Sequence, residues 1–140
     1  MDVKLDEAAL NAFMAEVFPQ VAADFRIERV APMEADVRLM VDDRHLRPGG
    51  TVSGPSMFAL ADLAMYAVTL AMIGREALTV TTNCSIDFMR KPAPERDMIA
   101  RARLLKLGRV LAVGDVLLFS DGSDAPVARA SLTYSIPPRG

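Results

Sequence analysis

One acidic side chain stands alone in an apolar run. From Pro55 to Ile73 the sequence reads PSMFALADLAMYAVTLAMI, and Asp62 is its only charge. If that run is buried, an unpaired carboxylate is costly or is driven to take up a proton. Such a group suits acid–base or nucleophilic chemistry. Two plainer readings stand beside it: a narrow solvent-facing stripe, or the cap of a buried hydrogen-bond network. Gly54 precedes the run. Its backbone N–H, at the positive end of a helix dipole, would hold a developing oxyanion; as a turn glycine ahead of Pro55 it needs no function. A carboxylate and a carbonyl-polarising donor together suffice to hydrolyse an activated ester or thioester.

The spacing adds a constraint. Gly54 and Asp62 are eight residues apart, which is about 12 Å along a helix axis. Both cannot touch one carbonyl from the same helix. Two copies of the helix, antiparallel about a two-fold axis, would bring Gly54 of one chain to Asp62 of the other, so this chemistry requires a dimer with two equivalent sites.

The elements that must hold these residues follow from periodicity. Leu5, Ala8, Ala9, Phe13 and Val17 recur at helical spacing, predicting an N-terminal helix over about 5–18 that Pro19 ends. Residues 25–41 alternate and read as strand. The segment DDRHLRPGGTVSG, residues 42–54, is loop, because its proline and paired glycines forbid regular structure. The apolar run at 55–73 has proline in its first turn and Gly74 just past its end, which brackets a helix. Residues 78–89 alternate, with Leu78, Val80, Cys84, Ile86 and Phe88 on one face and Thr79, Thr81, Asn83, Ser85 and Asp87 on the other. Strands are expected at 98–106, 109–119 and 127–136, joined by short links that favour antiparallel neighbours. The expectation is a single α+β domain over residues 1–140, its long helix wrapped by a curved antiparallel sheet of five or more strands.

Composition narrows the function. The 140 residues are 51% hydrophobic and 24% charged, with formal net charge −2. That balance speaks against a general nucleic-acid binder. The apolar helix is long enough to span a bilayer, but its mid-helix aspartate and the soluble-looking strands beside it argue for burial and against a membrane partner. The N-terminus has no basic region followed by an apolar stretch, so a cytoplasmic protein is expected. Cys84, the single cysteine, cannot form an internal disulfide and reads as a small core residue. His45 and Cys84 lack partners at ligand spacing, so no metal is expected.

The segments SGPSMFALAD, TVTTNCSIDFMRKPAP and LLKLGRVLAVGDVLLFSDGSDAPVARASLTYSI resemble the hot-dog acyl-CoA thioesterases of the phenylacetate-pathway (PaaI-like) type. The resemblance covers residue 42 to the end. It implies a hot-dog fold, a homodimer paired again into a homotetramer, acyl-CoA as substrate, and no cofactor beyond the coenzyme A that the substrate carries. It places Gly54 as the carbonyl-polarising donor and Asp62 as the group that activates water or attacks directly. The family's hydroxyl residue falls on Thr81, with Thr79 or Thr82 as a candidate assistant. The motif histidine is Ser53 here, the second motif glycine is Pro55, and the loop asparagine is Arg47. Ser53 reads as a helix cap. Arg47 could stand in for the asparagine, neutralise Asp62, hold a substrate phosphate, or be solvated. Arg90, Lys91 and Arg109 occupy positions for coenzyme A. Met57, Phe58, Met65 and Met89 are candidates for an acyl pocket or for core packing.

Two other functions fit the same scaffold. HLRPGGTVSGP resembles the Pro/Gly loop of acyl-carrier-protein dehydratases, which would make His45 the acid–base group of a hydratase or dehydratase acting on enoyl or 3-hydroxyacyl thioesters; as a lone loop histidine it is otherwise structural. The substituted motif histidine and asparagine also suit a non-catalytic acyl-CoA-binding module.

Overall fold

The computed structural model describes residues 2–138. Helix α1 (Glu7–Val17) starts where the Asp6 carboxylate accepts the Ala9 N–H at 2.9 Å, satisfying one of the donors a helix start leaves open. Pro19 breaks the helix and opens a short second one, α2 (Pro19–Ala22), at an angle to the first. Strands β1 (Phe25–Ala31) and β2 (Glu34–Leu39) follow, then a 3-10 turn at Asp43–His45 and the long helix α3 (Gly54–Ile73). Four strands complete the chain: β3 (Val80–Phe88), β4 (Met98–Leu107), β5 (Leu111–Ser120) and β6 (Ala128–Ser135). One antiparallel sheet contains all six, in the order β1-β2-β4-β5-β6-β3. The long helix wrapped by this sheet is the hot-dog arrangement.

The single strand expected over residues 25–41 is a hairpin. Pro32 and Met33 form its two-residue turn, with Met33 at φ 65°. No glycine marks the turn; distant contacts hold it. The Met33 N–H points at Met72 Sδ (3.3 Å), and its carbonyl accepts from Leu104 N–H (2.9 Å). Arg38 on β2 ties the sheet's end together, binding Glu28 (2.8 Å), Asp97 (3.1 Å) and Asp121 (2.8 Å).

Helix α3 is apolar on nearly every side because the sheet curls around it. It meets the length and hydropathy of a membrane span, yet 78% of that stretch is buried inside the protein. Leu60, Met65, Val68 and Leu70 are fully buried, each burial contributing roughly 1.5–3 kcal/mol. At Gly114 on β5 the helix lies so close that an added Cβ would meet Met65 Sδ and the Arg103 carbonyl, both at 2.8 Å. This position can carry no side chain unless the backbone moves.

Strand β3 corrects a second expectation. Its register against β6 skips at Thr82: Thr81 faces Tyr134, Asn83 faces Thr133, and Cys84 faces Leu132. That bulge reverses the alternation. Thr81 therefore shares the inward face with Cys84 and Ile86, not the opposite one, and Val80 is turned outward. The two outer strands of the sheet also differ. The edge of β1 is occupied by α1: the Asn11 amide donates to Ile27 O (3.0 Å) and accepts from Ile27 N–H (2.9 Å), and Glu7 accepts from Val30 N–H (2.9 Å). On β3 the free edge is exposed, with Val80 and Phe88 among its exposed apolar residues.

Candidate active site

Three elements bring three side chains together. Asp62, in the middle of α3, is half-buried, and its Oδ1 accepts from Thr81 Oγ1 at 2.5 Å and from the Tyr134 hydroxyl at 2.7 Å. The same hydroxyl lies 2.8 Å from the Asp62 carbonyl. The β3 bulge makes the Thr81 contact possible, and β6 supplies Tyr134 from 72 residues away. Two donors satisfy the oxygen that burial would otherwise leave costly. Among the described residues none donates to Oδ2, and Asp62 lies in the lining of a cleft of about 540 Å³. The carboxylate is thus held at one oxygen and open at the other.

Burial, reinforced by the Asp62 charge, pushes the Tyr134 hydroxyl far above the usual phenol range. Tyr134 stays protonated and stays a donor. Burial and the same charge raise the Cys84 thiol, which keeps it from acting as a thiolate nucleophile. Thr82 turns instead to the Thr133 carbonyl (3.2 Å), and the Thr79 hydroxyl is buried without a partner among the described residues.

The tip of α3 is built separately. Ser53 is its cap: Oγ accepts from Ser56 N–H at 3.3 Å, and the Ser53 carbonyl accepts from Met57 N–H at 3.0 Å. Pro55 has no N–H to satisfy. Among the described residues no acceptor takes the Gly54 N–H, so one donor is left at the positive end of the helix. His45 latches the loop behind this tip. It is buried, its Nδ1 accepts Asp42 N–H (2.8 Å), its Nε2 lies 3.3 Å from Asp24, and its carbonyl accepts Ser53 N–H (2.8 Å). His45 holds structure there and does not line the Asp62 cleft.

The remaining candidates are dispersed. Arg47 is exposed in the loop that the Leu46–Val52 bridge closes. Arg90 and Lys91 are exposed just past β3, and Arg109 is exposed in the β4–β5 turn rather than on a strand. Met57 and Met65 belong to the core, while Phe58 and Met89 are exposed; none of the four lines the cleft. The cleft walls include residues given no part in a site by the sequence reading: Val17, Phe18 and Val21 around the break between the N-terminal helices, Tyr66 of α3, and Tyr134. A wider hollow of about 730 Å³ lies on the outer face of the sheet. The pairs Arg29–Asp36 and Arg129–Asp87 occupy it, and it holds none of the groups around Asp62. Among the described residues no three of His, Cys, Asp and Glu cluster as metal ligands.

The sequence pattern of the thioesterase superfamily matches residues 49–127, from the loop before α3 through β5. The chain belongs to the thioesterase superfamily. A crystal structure of a candidate thioesterase from Silicibacter sp. TM1040 is 62% identical, covering 99% of this chain and 96% of that one, with a TM-score of 0.92. Phenylacetic acid degradation protein PaaI from Thermus thermophilus, solved as a point mutant, is 29% identical over 85% of this chain and 99% of that chain, with a TM-score of 0.73. A hypothetical thioesterase protein from Streptococcus pneumoniae TIGR4, crystallised with coenzyme A, shares 19% identity over 90% and 98% of the two chains, with a TM-score of 0.75. No curated protein sequence matches the chain. The thioesterase match contains Gly54, Asp62 and Thr81. It leaves out Arg47, Tyr134 and both N-terminal helices.

Proposed function

We propose that this thioesterase hydrolyses acyl-CoA in a homodimer, with Asp62 of one chain and Gly54 N–H of its partner acting on the same thioester. The observation that carries the reading is the Asp62 carboxylate, held at Oδ1 by Thr81 and Tyr134, without a donor on Oδ2 among the described residues, in the lining of a largely apolar cleft. The Gly54 N–H would take the oxyanion as the carbonyl becomes tetrahedral. The carboxylate drives the attack, the C–S bond breaks, water supplies the new oxygen of the acid, and coenzyme A leaves with a proton. The two groups are about 12 Å apart along one helix, so each site needs both chains. The bare edge of β3 and the exposed Phe58 and Ala59 on α3 support pairing on that side. Coenzyme A in the Streptococcus pneumoniae relative supports the choice of thiol, and exposed Arg90, Lys91 and Arg109 are suited to its phosphates. Pairing of dimers into a tetramer and a cytoplasmic setting belong to the same proposal.

The test is thiol release from acyl-CoA by the wild type and by Asp62→Asn. The expected result is turnover in the wild type and a loss of about a hundredfold or more in the variant, with unchanged assembly by light scattering. Near-normal turnover in Asp62→Asn would remove Asp62 from the mechanism.

A further inference from the structure

The Asp62 cleft has a wall that the superfamily segment does not supply. Helix α1 ends at Val17, Phe18 leaves helical geometry at φ −139° and ψ 51°, and Pro19 opens α2. This corner faces the cleft with Val17, Phe18 and Val21. Phe18 stands edge-on to Tyr66, with ring centroids 6.5 Å apart. The opposite bank is the connection from α3 to β3, where Leu78 is 81% and Val80 56% exposed. The Tyr66 hydroxyl fixes that bank by donating to the Ala77 carbonyl at 2.9 Å. Phe18 is itself 39% exposed. Large apolar side chains from two separate segments thus line the cleft, and both segments contact Tyr66.

The charge pattern is as informative as the shape. Among the described residues lining the cleft, Asp62 is the one charged group, and no lysine, arginine or histidine accompanies it. A second carboxylate on the ligand would be desolvated beside a like charge with no cation to offset it. The volume, about 540 Å³, corresponds to roughly 18 waters at about 30 Å³ each, far more than a two-carbon acyl group displaces.

We propose that the α1–α2 corner and the α3–β3 connection form the acyl pocket, and that it selects uncharged, apolar acyl groups longer than butyryl. This rests on the hydrolase reading of Asp62 and adds the substrate class to it. Phe18 and Val21 are the specificity-determining residues. One bank of the pocket, with Phe18 and Val21, therefore lies outside the matched superfamily region, while the other bank and the reacting groups lie inside it.

The experiment is a panel of acetyl-, butyryl-, octanoyl- and glutaryl-CoA, with kcat and KM measured on the full-length oligomer. Because each buried methylene contributes about 0.8 kcal/mol, or roughly fourfold, kcat/KM is expected to rise about tenfold or more from acetyl to octanoyl. Glutaryl-CoA is expected to fall about tenfold or more below butyryl-CoA. Val21→Trp should lower kcat/KM for octanoyl-CoA about tenfold more than it lowers kcat/KM for acetyl-CoA. Phe18→Ala, at a half-exposed position, should cut the octanoyl preference about threefold or more, and decides the matter if Val21→Trp does not fold. A parallel arm measures binding of the unreactive thioethers S-octyl- and S-ethyl-CoA by calorimetry. If no thioester is cleaved but S-octyl-CoA binds about tenfold tighter than S-ethyl-CoA, and Phe18→Ala weakens that preference, the pocket stands and the hydrolase reading fails. If hydrolysis proceeds with a profile indifferent to length and charge, the hydrolase reading stands and the pocket is overturned.

Discussion

Tyr134 and Thr81 hold one oxygen of Asp62 and leave the other without a donor among the described residues. Both hydroxyls donate to Oδ1, at 2.7 and 2.5 Å, so the carboxylate cannot rotate without losing two charge-assisted bonds, each contributing about 1.5–3 kcal/mol. Tyr134→Phe removes one of them and little volume. Its expected effect is about a tenfold fall in kcat with KM within about twofold, measured by thiol release. Thr81→Val should act in the same direction. The double variant should lose less than the product of the two single losses, because both hydroxyls serve one oxygen. Independent, multiplying losses would mean that the two residues act at different places. Neither variant should unfold the protein, since the side chains keep their apolar bulk.

At the scale of elements, the parts legible in the sequence are those with local punctuation. The apolar run bracketed by Pro55 and Gly74 reads as a helix, and α3 occupies Gly54–Ile73. Asp62 stands out because nothing else in that run is charged, and Ser53 reads as a cap from its position alone. What long-range contacts decide was not legible. Met33 takes a left-handed turn without glycine because Met72 and Leu104 hold it. Thr82 is an ordinary strand residue locally, yet as a bulge it moves Thr81 to the other face. Tyr134 is 72 residues from Asp62, and no spacing rule connects them. The α1–α2 corner reads as an amphipathic helix followed by a proline, with nothing to say that its far side borders the cleft.

Arg38 provides a prediction at this scale. Exposed pairs such as Arg26–Glu28 contribute less than about 1 kcal/mol. Arg38 is only 17% exposed and joins three carboxylates from separate parts of the sheet. Its hydrogen bonds hold Glu28 and Asp121 below the usual carboxylate range. Both groups are therefore protonated in the unfolded chain before they are in the folded one. The stability they confer is complete above the ordinary carboxylate range, about pH 4–4.5, and is lost as the pH falls through their lowered folded values. Arg38→Gln should cost about 1–3 kcal/mol at neutral pH by urea denaturation. The gap from the wild type should narrow as the pH is lowered from about 5 to about 3. A gap that does not change with pH would assign the loss to packing rather than to charge.

For the whole molecule, the proposed pairing of Gly54 with Asp62 across two chains would make assembly part of the chemistry. Gly54→Pro removes the free N–H at a first-turn position that tolerates proline, and Ser53 already has the extended backbone that a following proline requires. Gly54→Pro and Asp62→Asn should each be nearly inactive as homodimers. Unfolded together and refolded at equal amounts, half of the dimers are mixed by random assortment, and each mixed dimer carries one site with both groups intact. About a quarter of wild-type turnover should return. No recovery, with mixed dimers demonstrated by tag pull-down, would show that Gly54 and Asp62 do not complete one site across the interface.

The asymmetry of the sheet's edges limits how such an assembly grows. A strand such as β3 that met β1 of another copy would leave a fresh β3 open at the far side, and the series would run on as a filament. Asn11 and Glu7 already engage the outward-facing groups of Ile27 and Val30, so head-to-tail propagation has no second docking edge. Pairing through the sheet edges would therefore join β3 to β3 and close at two copies, leaving any larger assembly to other faces.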